Sequence, residues 1–137
     1  MIPRSVVIAA RDLSWLTARP IAHRGLHDAA RGIIENMPAA MTAAIAGNYG
    51  IETDLQISAD GEAMVHHDAA LGRLAAGDAA LGDLTAAHLK QVPFKGTCER
   101  MMTLGDLCDL VAGATLVLEL KSRFDGDRRI ASGFPLY

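Results

Sequence analysis

Hydrophobic and polar positions follow two rhythms along this chain. From Ile51 to Ser58 the character changes at every second residue, the period of a strand, which sets Glu52, Asp54 and Gln56 on one face and Ile51, Leu55 and Ile57 on the other. A short apolar run at Ile21 and Ala22, closed by His23, Arg24 and Gly25, predicts a buried strand that delivers His23 and Arg24 at its end. Asp60 and Gly61 form a strong turn signal, and residues 63–66 after it predict a further strand running into His67 and Asp68. Residues 115–121 predict a last strand, on which Glu119 and Lys121, two apart, share a face.

The second rhythm is helical. Residues 38–47 are Ala-rich, with Pro38 at the start and Gly47 at the end. Residues 85–91 predict a short helix capped by Thr85. Residues 103–111 predict another, with Leu104, Leu107, Leu110 and Val111 at helical spacing and Gly113 closing it. Strands alternating with helices predict parallel βα units in one α/β domain over residues 1–137. The chemically able residues fall near C-terminal strand ends, where such folds gather ligands.

Composition narrows the function classes. The chain has 137 residues, half of them hydrophobic but only 4% aromatic, which allows one core, lightly filled because Ala and Gly stand where larger side chains would. A net charge of −3 without any run of Lys or Arg gives no footprint for nucleic acid or an anionic membrane. The longest apolar stretches, residues 6–10 and 115–118, fall far short of the roughly 20 residues of a bilayer span. The first is also shorter than the apolar region of a signal peptide, so a cytoplasmic protein is expected. Cys98 and Cys108 make no CxxC pair and are expected as reduced thiols without chemistry.

Glu52, Asp54 and Glu119 face the same way from strands that can be neighbours, and like charges so placed call for a cation between them. All-oxygen ligation favours Mg²⁺ or Ca²⁺ over zinc; the plain alternative is that the acids face solvent on an edge strand. His23 and His67, on different strands beside these acids, suit a general acid and base, whereas His27, His66 and His88 read as hydrogen-bonded or solvated residues. Arg24 and Lys121 suit an anionic substrate such as a phosphodiester, or else form ion pairs with their acidic neighbours.

The ordered fragments His23-Arg24-Gly25, Glu35-Asn36, Glu52-Thr53-Asp54, Asp60-Gly61, His67-Asp68 and Glu119-Leu120-Lys121 resemble the glycerophosphodiester phosphodiesterase family. The resemblance implies the N-terminal part of a (β/α)₈ barrel, with Glu52, Asp54 and Glu119 as ligands of one divalent cation, Mg²⁺ or Ca²⁺. It implies His23 and His67 as acid and base and Arg24 and Lys121 on the phosphate. The implied reaction is hydrolysis of a small-molecule glycerophosphodiester to glycerol 3-phosphate and an alcohol.

Two departures stand out. The family's Glu-Asn is usually followed by Thr, where this chain has Met37. A barrel of this type needs about 250 residues, and this chain ends after what reads as its fourth main strand, leaving an open edge that self-association would cover. A truncated, inactive fragment or a non-catalytic half-barrel that only associates with a partner is therefore one rival. A zinc-dependent amide hydrolase using His23, His67 and Asp54 is another.

Overall fold

The computed structural model describes residues 11–122. The apolar stretch at residues 6–10 and the charged tail past Ser122 lie outside the described residues. In chain order the elements are α1 (Ser14–Thr17), β1 (Ile21–His23), a 3₁₀ turn (Ala29–Arg31), α2 (Pro38–Ala46), β2 (Gly50–Ile57) and β3 (Ala63–Val65). A second 3₁₀ turn (Leu81–Asp83), α3 (Ala86–Leu89), α4 (Leu104–Leu110) and β4 (Leu116–Leu120) complete the set.

β2 is the axis of the sheet. β1 pairs with it in parallel, Ala22 opposite Ile51 and His23 opposite Glu52. β4 pairs with it in parallel along the other edge, Glu52 opposite Val117 and Asp54 opposite Glu119. β1, β2 and β4 thus form the βα units that the alternation predicts. β3 does not: it runs antiparallel to β2, Leu55 opposite Val65, on the edge that β1 has left. The reason is local. The tight turn at Asp60 and Gly61, with Gly61 at φ +87°, reverses the chain at once, and a parallel return needs a crossover of a dozen or more residues.

α3 and α4 begin where the sequence signals fall, whereas the four-residue α1 stands outside the predicted elements. α3 starts at Thr85, whose side chain accepts from the His88 N–H. α4 starts at Thr103 in a capping box with Asp106. α2 is different: Met37 at its N-cap offers no side-chain acceptor and is instead fully buried. The carboxylate of Glu99 takes over, Oε1 accepting from the Ala39 N–H at 2.7 Å. The cap that a threonine would supply locally comes from sixty residues further along the chain.

Two core clusters result. One joins Ile51 and Leu55 of β2 to Met41 and Ala44 of α2 and to Leu107 of α4. The other joins Met37, Met64, Leu81, Leu89, Phe94 and Met101 beneath the long excursion between β3 and α4. Met37, Met41, Met64, Met101 and Met102 are all buried, and their flexible, unbranched side chains pack into both clusters beside the Leu, Ile and Val residues.

Candidate active site

The site is built on the face of the sheet opposite the helices. The period-two register that buries Ile51 and Leu55 against α2 and α4 turns Glu52 and Asp54 the other way, and the pairing of β2 with β4 brings Glu119 beside Asp54. Glu52, Asp54 and Glu119 each offer a carboxylate oxygen, and these oxygens lie within 4.8 Å of one another. Asp54 is fully buried, Glu52 partly so and Glu119 exposed. Among the described residues they are the one group of three such side chains placed to hold a metal ion; His23, Asp54 and His67 do not form one.

Asp54 is the centre of the charge arrangement. Its Oδ2 accepts from the Asn36 Nδ2 at 2.9 Å, and Asn36 in turn accepts from the Thr53 hydroxyl at 2.6 Å. Its Oδ1 lies 2.9 Å from the Lys121 ammonium but is not aligned for a hydrogen bond, so a buried oxygen keeps an unused lone pair. Burial pushes the Asp54 carboxyl up; the Asn36 hydrogen bond and the Lys121 charge outweigh it and hold the group below its usual range. Lys121 also donates to Glu119 at 2.6 Å. Burial lowers its ammonium, and the hydrogen bond to Glu119 with the ion pair to Asp54 more than restores it, so the net shift is upward. An all-carboxylate set, one member ionised while buried and still holding a free lone pair, fits a hard cation that prefers oxygen.

Arg24 and the histidines border this cluster. Arg24 follows β1 in the left-handed region, φ +59°, and its N–H donates to Glu52 Oε2 at 3.1 Å. Its guanidinium bonds Glu35 Oε1 at 3.0 Å and passes 3.4 Å from Asp54 Oδ2. Gly25 makes this turn feasible. At φ +78° it lies so close to α2 that a Cβ there would stand 2.8 Å from the Ala40 Cβ and 2.9 Å from its carbonyl carbon. His23 Nε2 lies 3.8 Å from Glu52 Oε2, and the residue is exposed. His67 is half-buried beyond β3. Its Nδ1 lies 2.7 Å from Asp68 Oδ1, and its backbone carbonyl accepts from Gln56 at 2.8 Å.

The two readings of Arg24 and Lys121, ion pairing or anion binding, turn out to describe one arrangement. Both make the expected ion pairs, and both hold their charge beside the acidic cluster. Several residues that shape the site were not among the candidates: Asn36, which fixes Asp54, Glu35, Asp68 and Arg73. Glu35, Asn36 and Asp68 stand inside the quoted fragments, but nothing in the periodicity marks Arg73. Asp60 is structural, accepting from the Ser58 hydroxyl and the Ala86 N–H. His66 packs edge-on against Phe94, and burial pushes its imidazole down to about 4.

This arrangement has relatives. The model of the glycerophosphoryl diester phosphodiesterase family matches residues 23–123. The chain belongs to that family. Among solved family structures, a putative glycerophosphoryl diester phosphodiesterase from Agrobacterium tumefaciens is 31% identical, with TM-score 0.68, over 79% of this chain and 44% of its own. A phosphodiesterase from Oleispira antarctica, solved with the product sn-glycerol-3-phosphate, is 27% identical, with TM-score 0.71, over 87% of this chain and 51% of its own. The glycerophosphodiester phosphodiesterase of Thermotoga maritima is 28% identical, with TM-score 0.65, over 82% of this chain and 45% of its own. No curated protein matches the chain.

The chain spans about half the length of these family structures, and its fold is the N-terminal part of the family's (β/α)₈ barrel, with β1, β2 and β4 as barrel strands. Among the described residues, no helix is long and apolar enough to cross a membrane.

Proposed function

We propose that the chain is a partial catalytic domain, over residues 1–137, that hydrolyses glycerophosphodiesters to glycerol 3-phosphate and an alcohol with one divalent cation, Mg²⁺ or Ca²⁺. The observation that carries this reading is the convergence of the Glu52, Asp54 and Glu119 oxygens within 4.8 Å, beside Arg24 and Lys121. The Oleispira relative, solved with sn-glycerol-3-phosphate, supports a small-molecule phosphodiester substrate. The reading keeps the cytoplasmic location expected from the sequence.

Glu52, Asp54 and Glu119 would hold the cation, which supplies Lewis-acid stabilisation of the phosphoryl oxygens. Arg24 and Lys121 add fixed positive charge to the same oxygens and orient the substrate through its phosphate. His23 and His67 exchange the protons: one draws a proton from the nucleophile, water or the glycerol's neighbouring hydroxyl, while the other gives one to the departing alkoxide. Leu118 and Leu120, exposed on β4, support association of the open barrel edge with further strands, those of a second copy included.

The test is glycerol 3-phosphate release from glycerophosphocholine, with and without chelator, by this chain and by a barrel completed with a relative's remaining strands. Wild type is expected to need the cation, and Glu52→Ala and His23→Ala to be inactive in the completed barrel. Full activity in either variant overturns the assigned role. A stable soluble dimer with no affinity for Mg²⁺ or Ca²⁺ would instead favour a non-catalytic association module.

A further inference from the structure

Arg73 sits in the excursion after β3, with nearly half of its side chain exposed, yet it makes more side-chain bonds to acids than any residue placed in the site above. Its Nε donates to Asp68 Oδ2 at 2.7 Å and its NH2 group to Asp68 Oδ1 at 3.0 Å. The same guanidinium reaches Glu35, NH2 to Oε1 at 2.6 Å and NH1 to Oε2 at 3.2 Å. One planar group therefore grips two carboxylates, each by both oxygens. Each of those carboxylates holds a residue of the proposed chemistry: Glu35 accepts from Arg24 at 3.0 Å, and Asp68 meets His67 Nδ1 at 2.7 Å.

We propose that Arg73 is a positioning residue, a clamp that ties the acid–base histidine His67 to the phosphate-side Arg24 through Asp68 and Glu35. The inference rests on the function proposed above for those two residues. Its physical content concerns the ring of His67. With Arg73 bonded to both of its oxygens, Asp68 stays an ionised acceptor, so the proton between it and His67 belongs to Nδ1. Nε2 is then the unprotonated nitrogen of the neutral ring, held in one orientation and one tautomer and left as the atom that can exchange a proton. Arginine is needed because only a planar fork spans two carboxylates in this way; a lysine ammonium supplies charge without that geometry.

The test reads the ring itself, in the chain as it stands. Long-range ¹⁵N–¹H spectra of the neutral His67 imidazole are expected to show the Nδ1–H tautomer almost alone in wild type. Arg73→Met is expected to raise the Nε2–H population at least fivefold, and Arg73→Lys by an intermediate amount. An unchanged tautomer ratio in Arg73→Met, with the remaining resonances native, overturns the proposal. If Arg73→Met does not fold, Arg73→Lys carries the same decision, and a wild-type ratio there overturns it. In a hydrolytically active completed barrel, Arg73→Met should lower kcat about tenfold with KM within twofold; an unchanged kcat is a second refutation. Absence of hydrolysis in wild type would count against the proposed function and leave the tautomer measurement to decide the clamp.

Discussion

Two groups of charges stand a few ångströms apart, and they are balanced differently. At the sheet, Glu52, Asp54 and Glu119 crowd together against the Lys121 ammonium and one edge of the Arg24 guanidinium, which Asp54 shares with Glu35. At the rim, Glu35 and Asp68 are matched by the guanidiniums of Arg24 and Arg73. The rim satisfies itself: the Arg73 hydrogen bonds hold both of its carboxyls below their ordinary range. The sheet cluster has carboxylate to spare, including a buried Asp54 oxygen with an unused lone pair. Geometry of the same kind can therefore serve two ends, since a balanced network fixes side chains and an unbalanced one can take up a cation.

The sharpest way to break this contrast is to remove the excess charge. Glu52→Ala should abolish calorimetric binding of Mg²⁺ or Ca²⁺ and lower phosphodiester hydrolysis in a completed barrel by about a thousandfold or more. Removing rim charge with Glu35→Gln should leave cation binding intact. Equal loss of binding in both variants would end the distinction.

The second test concerns the turn that holds Arg24 between the two groups. Gly25→Ala places a Cβ against the backbone of Ala40 at a positive φ, and a loss of about 3 kcal/mol in denaturant unfolding is expected. An unaffected midpoint would mean that α2 moves aside freely.

Acid offers a third test. His66 lies behind the rim, and its folded value of about 4 is below its ordinary 6.5. Neutral His66 therefore contributes stability in full above pH 6.5. That contribution falls away as the pH drops through this window and is gone below about 4, for a total of about 3 kcal/mol. Asp54, Glu35 and Asp68, all held below their usual range, remain ionised through most of that window. His66→Phe should flatten the stability profile between pH 6.5 and 4; an unchanged slope would assign the acid sensitivity elsewhere.

The smallest effect expected is at α2. Glu99→Ala removes the remote cap on Ala39 and should cost about 1 kcal/mol. Met37→Thr made together with it should recover part of that loss if a local cap can replace the remote one.

Local rules were enough for much of this protein. The period of two from Ile51 to Ile57 determined which acids share a face, because side chains alternate along any strand. Pro38, Gly47, Thr85 and Thr103 marked the helix ends, because caps and chain breakers act within a few residues. The order of short fragments was enough to indicate the family. Pairing is where local rules stop. That Asp54 sits beside Glu119, that β3 turns back antiparallel, and that five methionines join the buried Leu, Ile and Val side chains all depend on which segments meet in space. Arg73 and Glu99 make the point most clearly. Each acts on partners up to 38 and 60 residues away in sequence, and a long flexible side chain carries no periodic mark of where it will land.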